Sequence, residues 1–150
     1  MRISRRIKTA IVVIATLMTG FGIAIIRQSS DPILLSSGEF HSAAHRGKGE
    51  VRIVAFPNGS RRLRMIGIRT YPSQDLRLIL ISAADANENE TVARSEKYDA
   101  GPLASDEGDL DIELPADLDL SRFNAVTIWN SAYKVNYATA PLKRHKENVP

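Results

Sequence analysis

Over most of the chain the apolar residues recur at every second position, the period of strands that bury one face. Residues 50–56 place Val51, Ile53 and Ala55 on one side, and residues 62–68 set Leu63 and Met65 against Arg62 and Arg64. Between these two segments, Pro57-Asn58-Gly59-Ser60 predicts a hairpin, with Asn-Gly taking the positive φ angles of a tight turn. Tyr71-Pro72-Ser73 breaks the chain ahead of residues 76–82, where Leu76, Leu78 and Leu80 share a face. The clearest alternation covers residues 109–114, with Leu110, Ile112 and Leu114 opposed to Asp109, Asp111 and Glu113, and Pro115 ends it. Residues 125–130 and 133–138 form a closing pair around Ser131-Ala132. Residues 83–94 show no apolar periodicity and predict an exposed, mobile polar loop, and residues 116–123 predict a loop or single turn. Six or seven short strands without an amphipathic helix predict an all-β fold, a small antiparallel sandwich or barrel.

The N-terminal segment breaks this pattern. Residues 9–26 run 18 positions without a charge, about 27 Å of helix at ~1.5 Å per residue, close to the hydrocarbon thickness of a bilayer. Arg2, Arg5, Arg6 and Lys8 precede the run and only Arg27 follows it, which places the N-terminus in the cytoplasm and the remainder outside. A cleaved signal peptide is the competing reading; its small-x-small site, Gly22-Ile23-Ala24, sits inside the apolar run, so an uncleaved anchor is expected. The predicted organisation is a cytoplasmic basic segment (1–8), a transmembrane signal anchor (9–26), a linker (27–37), the β-domain (38–142) and a basic, solvated tail (143–150).

Charge changes meaning once the leader is set aside. The net +3 contains five bases and no acid in residues 1–30, which leaves 15 bases against 17 acids in the rest. The predicted domain therefore lacks the basic excess that a nucleic-acid partner requires. The sequence contains no cysteine, which excludes disulfides, thiolate metal sites and a cysteine nucleophile from these 150 residues.

Candidate chemistry is sparse. Asp85, Asn87, Asn89 and Glu96 match positions of a calcium loop, but the position that needs glycine for its sharp turn holds Glu90. His41 and His45 have a helical spacing in a strand-and-glycine context, with no further ligands to complete a metal site. No serine sits in a Gly-x-Ser-x-Gly elbow, and Gly47 and Gly49 lead into a strand, not into the helix N-terminus of a phosphate loop. The expectation is a non-enzymatic module with no catalytic residue, cofactor or metal.

Phe40 to Leu142 also carry a recognisable series: Gly38-Glu39-Phe40, His45 with Gly47 and Gly49, Leu63-Arg64 and Asp75-Leu76. It continues through Tyr98-Asp99-Ala100-Gly101-Pro102-Leu103, Gly108, Glu113-Leu114-Pro115, Phe123, Val126-Thr127-Ile128-Trp129 and Ala140-Pro141-Leu142. In this order and spacing the chain resembles the DM-thirteen domain, the electron-transfer DM family of extracytoplasmic β-sandwich modules. The resemblance implies an accessory of membrane redox chains, with a proposed redox cysteine directly after the strand tryptophan. Here Trp129 is followed by Asn130, so fold and location carry over and thiol chemistry does not. The resemblance makes Asn130, Trp129, His45 and Asp75 the candidate site residues. The expected function is a membrane-anchored binding module of the cell envelope, or a docking accessory of a redox chain, with an envelope protein or redox-chain component as partner. Strand alternation further predicts that Asn130 follows Val126 and Ile128 into the core and is hydrogen-bonded to main chain near Ser131–Tyr133.

Overall fold

A computed structural model describes residues 31–146. Within them ten strands run as β1 (Ile33–Glu39), β2 (His41–Ser42), β3 (Gly47–Ala55), β4 (Arg61–Thr70), β5 (Leu76–Ile81), β6 (Lys97–Pro102), β7 (Glu107–Leu114), β8 (Ala125–Asn130), β9 (Val135–Pro141) and β10 (Lys143–Arg144). A six-residue helix, α1 (Asn89–Arg94), precedes β6, and a single 3₁₀ turn (Leu120–Arg122) precedes β8. The strands form two five-stranded antiparallel sheets, ordered β10-β1-β3-β4-β7 and β2-β9-β8-β5-β6. The fold is the predicted two-sheet sandwich. Among the described residues no helix is long and apolar enough to cross a membrane, and the expected anchor at 9–26 lies outside them.

The faces follow the alternation. Val51, Ile53, Leu63, Met65, Leu76, Leu78, Leu80, Val126 and Ile128 meet between the sheets and are almost fully buried. Edge strand β7 contributes Leu110, Ile112 and Leu114 to this core and turns its acids outward. The 57–60 hairpin forms, but with φ positive only at Gly59 (85°); Asn58 acts instead through its side chain, whose Oδ1 accepts from the Ser60 N–H and hydroxyl.

Four expectations change. Residues 83–94, though mostly exposed, are not simply a loop: α1 and the segment before it lie on the outer face of the second sheet. Ala86 and Val92 are buried there with Ile79, Ile81, Ala125 and Trp129 in a second apolar cluster. Only two of its apolar side chains are fully buried, six positions apart, so the segment carries no periodicity to read. Residues 33–37, assigned to a linker, open β1, and Lys143–Arg144 of the presumed solvated tail pair with Ser36 and Ser37 as β10. The closing hairpin turns through residues 131–134, which leaves Tyr133 in the turn and starts β9 at Val135.

Two glycines set the distance between sheets. A Cβ on Gly38 would stand 2.2 Å from the Pro141 carbonyl oxygen, and one on Gly47 would stand 2.2 Å from the Ala138 Cβ. No side chain fits at either place unless β9 moves away.

A charged latch fastens the outer layer to β2. His41 Nε2 lies 2.6 Å from Asp85 Oδ1, and His41 Nδ1 lies 3.2 Å from the Ser42 carbonyl oxygen. Both ring nitrogens face acceptors, which the doubly protonated imidazolium satisfies. Partial burial opposes that charge, but the hydrogen bonds to Asp85 and Ser42 and the Asp85 charge outweigh it, so the pKa is raised above its ordinary 6.5. The latch should therefore stabilise fully below pH 6.5 and be lost as pH rises through the higher folded value. A proton-NMR titration of His41 should give a midpoint above 6.5, and Asp85→Asn should bring it down. A midpoint at or below 6.5 in the unaltered chain would refute the latch.

Candidate functional site

At the end of β8 the chain must turn, and a buried amide organises that turn. Asn130 is fully buried. Its Oδ1 accepts from the Tyr133 N–H at 2.9 Å, and its Nδ2 donates to the Ser73 hydroxyl (3.1 Å) and the Gln74 carbonyl oxygen (3.2 Å). One side chain thus ties the β8–β9 turn to the β4–β5 connection, with both N–H groups and the oxygen of its amide engaged. The expected burial and main-chain pairing of Asn130 are both found, with a second set of partners across the sheet. The next residue reinforces the tie: Ser131 donates from its N–H and its hydroxyl to the Asp75 carbonyl oxygen, each at 3.1 Å.

Asp75 lies in the same cluster, acting through its main chain. Its φ of 59° is a left-handed conformation that aspartate tolerates better than most residues, and Lys134 (φ 57°) completes the opposite turn in the same way. His45 joins the cluster at one side, its ring stacked on Tyr71 (5.1 Å between centroids, 22° between planes) and tilted against Tyr137 at 4.2 Å. Trp129, by alternation, points to the other face of β8, into the cluster beneath α1. The structure therefore brings Asn130, Asp75 and His45 to one end of the sandwich and separates Trp129 from them.

Sequence reasoning missed the two residues this end displays most. Tyr71 is 57% exposed and Tyr133 77% exposed, and they flank the clamped turns. A small polar cleft of about 170 Å³, lined by Pro72, Ser73, Leu103 and residues 104–106, opens beside them. The signal was present in Tyr71-Pro72-Ser73, where an aromatic residue stands at a chain break, and in a tyrosine placed directly after Ser131-Ala132. Exposed tyrosines on rigid turns are apt anchors for a protein partner, because they add contact area while losing little side-chain freedom.

The remaining candidates are dispersed. Asp85 serves His41 and the Ala86 N–H, Asn89 accepts from the Asn136 N–H, and Glu96 pairs with Arg122. Among the described residues no three acids or histidines converge on a possible metal position.

The whole site lies at the end of the sandwich opposite the start of β1. Ile33 pairs with Ala55 beside the β3–β4 hairpin, whereas Gly47 and Thr70, paired at the far ends of β3 and β4, adjoin the Tyr71–Asp75 connection. A family model described as Electron transfer DM13 matches residues 39–142. No curated protein and no solved structure matches the chain.

Proposed function

Because the chain belongs to the Electron transfer DM13 family, we propose that it is a non-enzymatic docking module for a component of a membrane electron-transfer chain. It binds that partner without carrying electrons itself. Residues 9–26 tether it to the membrane, with the sandwich outside the cytoplasm, as the charge-free run and its asymmetric flanking bases suggest. One observation carries the docking role: Asn130 uses both polar atoms of its amide, in three hydrogen bonds, to hold two turns together, and those turns present Tyr71 and Tyr133 to solvent. Rigid presentation lowers the ordering cost of binding. The opposite placement of β1 favours a partner that meets the module at its far end.

Photo-crosslinking in native membranes tests this reading. A photoreactive residue at position 133 of the full-length chain should capture a haem- or flavin-bearing membrane protein, whereas the same probe at position 58, at the other end, should not. Equal capture from both positions, or capture of proteins without a redox group, would count against it.

A further inference from the structure

The open side of the sandwich holds a cavity, away from the docking end, that the family segment only partly encloses. It measures about 150 Å³ and lies between the sheets, walled by Leu35, Ile53, Leu80, Phe123 and Leu142, with Leu120 of the 3₁₀ turn above. A dry apolar cavity of about this size accommodates a single six-membered ring. Its polar boundary comes from Ser36, Ser121, Arg144 and His145. Leu35, Ser36, Arg144 and His145 all fall outside the matched residues 39–142. The pairing of β10 with β1 is what brings them together.

Three features give this boundary a direction. Ser36 is only 7% exposed, yet among the described residues no protein group hydrogen-bonds its hydroxyl. Ser36 and Arg144 are directly paired across β1 and β10, so their side chains share one face at about 5 Å between Cβ atoms. The Arg144 guanidinium is fixed at the rim, where one terminal nitrogen donates to the Ser121 carbonyl oxygen (2.6 Å) and to Asn124 Oδ1 (3.3 Å). Among the described residues, no protein group accepts a hydrogen bond from its other N–H groups, which can face a ligand. His145 stands beside it, with Nε2 2.8 Å from the Ser37 hydroxyl oxygen, and Lys143 and Lys146 flank both. The opposing charge nearby is Asp119, whose Oδ1 is taken up by the Ser121 N–H and hydroxyl. The balance at the rim is cationic.

We propose that this cavity binds a small aromatic carboxylate, its ring among the leucines and Phe123, and its carboxylate between the Ser36 hydroxyl and the Arg144 guanidinium. A serine donor and a guanidinium on adjacent strands match the two oxygens of one carboxylate, and a single ring fills the apolar volume.

Benzoate and toluene are the probes, titrated into the isotope-labelled full-length chain and followed by amide NMR. Benzoate should shift Leu35, Ser36, Phe123 and Arg144 saturably, with Kd below about 1 mM. Arg144→Gln should weaken it about tenfold and Ser36→Ala about fivefold, since each removes a hydrogen bond to a charged group. Arg144→Gln also releases the 3₁₀ turn, whereas Ser36→Ala breaks no protein hydrogen bond, so the serine variant gives the cleaner reading. Absence of saturable shifts, toluene binding as tight as benzoate, or unchanged affinity in Ser36→Ala would each overturn the proposal.

Discussion

Replacing Trp129 with alanine is expected to destabilise the full-length chain by about 3–5 kcal/mol, the range for truncating a buried large aromatic. Trp129 is 8% exposed and belongs to the cluster that joins the outer face of the second sheet to Ala86 and Val92. Removing the indole opens a void beneath a layer that has few other apolar contacts with the sheet. The layer itself should therefore loosen, with residues 83–94 becoming sensitive to protease under conditions where the unaltered chain resists. Denaturant unfolding gives the first number and limited proteolysis tests the second. A loss below about 1 kcal/mol would mean that the layer folds independently of the sandwich. The tryptophan of the Val126-Thr127-Ile128-Trp129 series thus acts in packing, on the outer face of the second sheet.

Asn130 yields the second large effect, and its chemical detail makes the test specific. Asn130→Ala leaves the Tyr133 N–H and the Gln74 carbonyl oxygen without their shared partner, at a cost of about 2 kcal/mol. Asn130→Asp keeps an acceptor for Tyr133, and Ser73 can turn its hydroxyl to donate. It also sets a buried carboxylate against the Gln74 carbonyl oxygen, two acceptors facing each other. Near neutral pH this variant should be the less stable of the two, by about 1 kcal/mol more than alanine. Burial raises the new carboxyl's pKa in the folded state, so its penalty is present above the ordinary carboxyl range and shrinks as pH falls, where the protonated acid can donate to Gln74. Denaturant unfolding at neutral and mildly acidic pH separates the cases. If the aspartate variant matches the unaltered chain at neutral pH, the clamp does not depend on donation to Gln74. Asn130→Ala should also reduce capture at position 133, because the main-chain N–H of that residue loses its acceptor.

What the sequence disclosed follows from how each element is exposed. Leu110, Ile112 and Leu114 alternate with acids because β7 is an edge strand with one wet face, and that contrast is visible in the residues alone. Strand β8 was legible to its bounds because Asn124 and Ser131 interrupt the apolar run on either side. Strand β5 was read for one face only. Ile79 and Ile81 face a covering layer drawn from a distant segment, and nothing in the sequence LRLILI says what covers its second side. Strand β1 escaped notice because a register irregularity between Leu34 and Ser36 disrupts its alternation, and two serines give it the composition of a linker. Burial of Asn130 could be read from alternation. Its partners could not, because Ser73 and Gln74 lie 57 and 56 positions earlier and only the folded sheet brings them near. Tyr71 and Tyr133 were recognisable as turn-adjacent aromatics, but their exposure depends on which faces the two turns leave open.

Gly47 and Ala138 together occupy a space with room for a single methyl group. Alanine at position 47 alone forces β9 outward, yet the same alanine combined with Ala138→Gly only moves that methyl across the gap. The two positions are sterically coupled although they lie 91 positions apart: a methyl group fits at 47 only when 138 gives its own up. A substitution scan made one position at a time would score Gly47→Ala as intolerant and miss the exchange that relieves it.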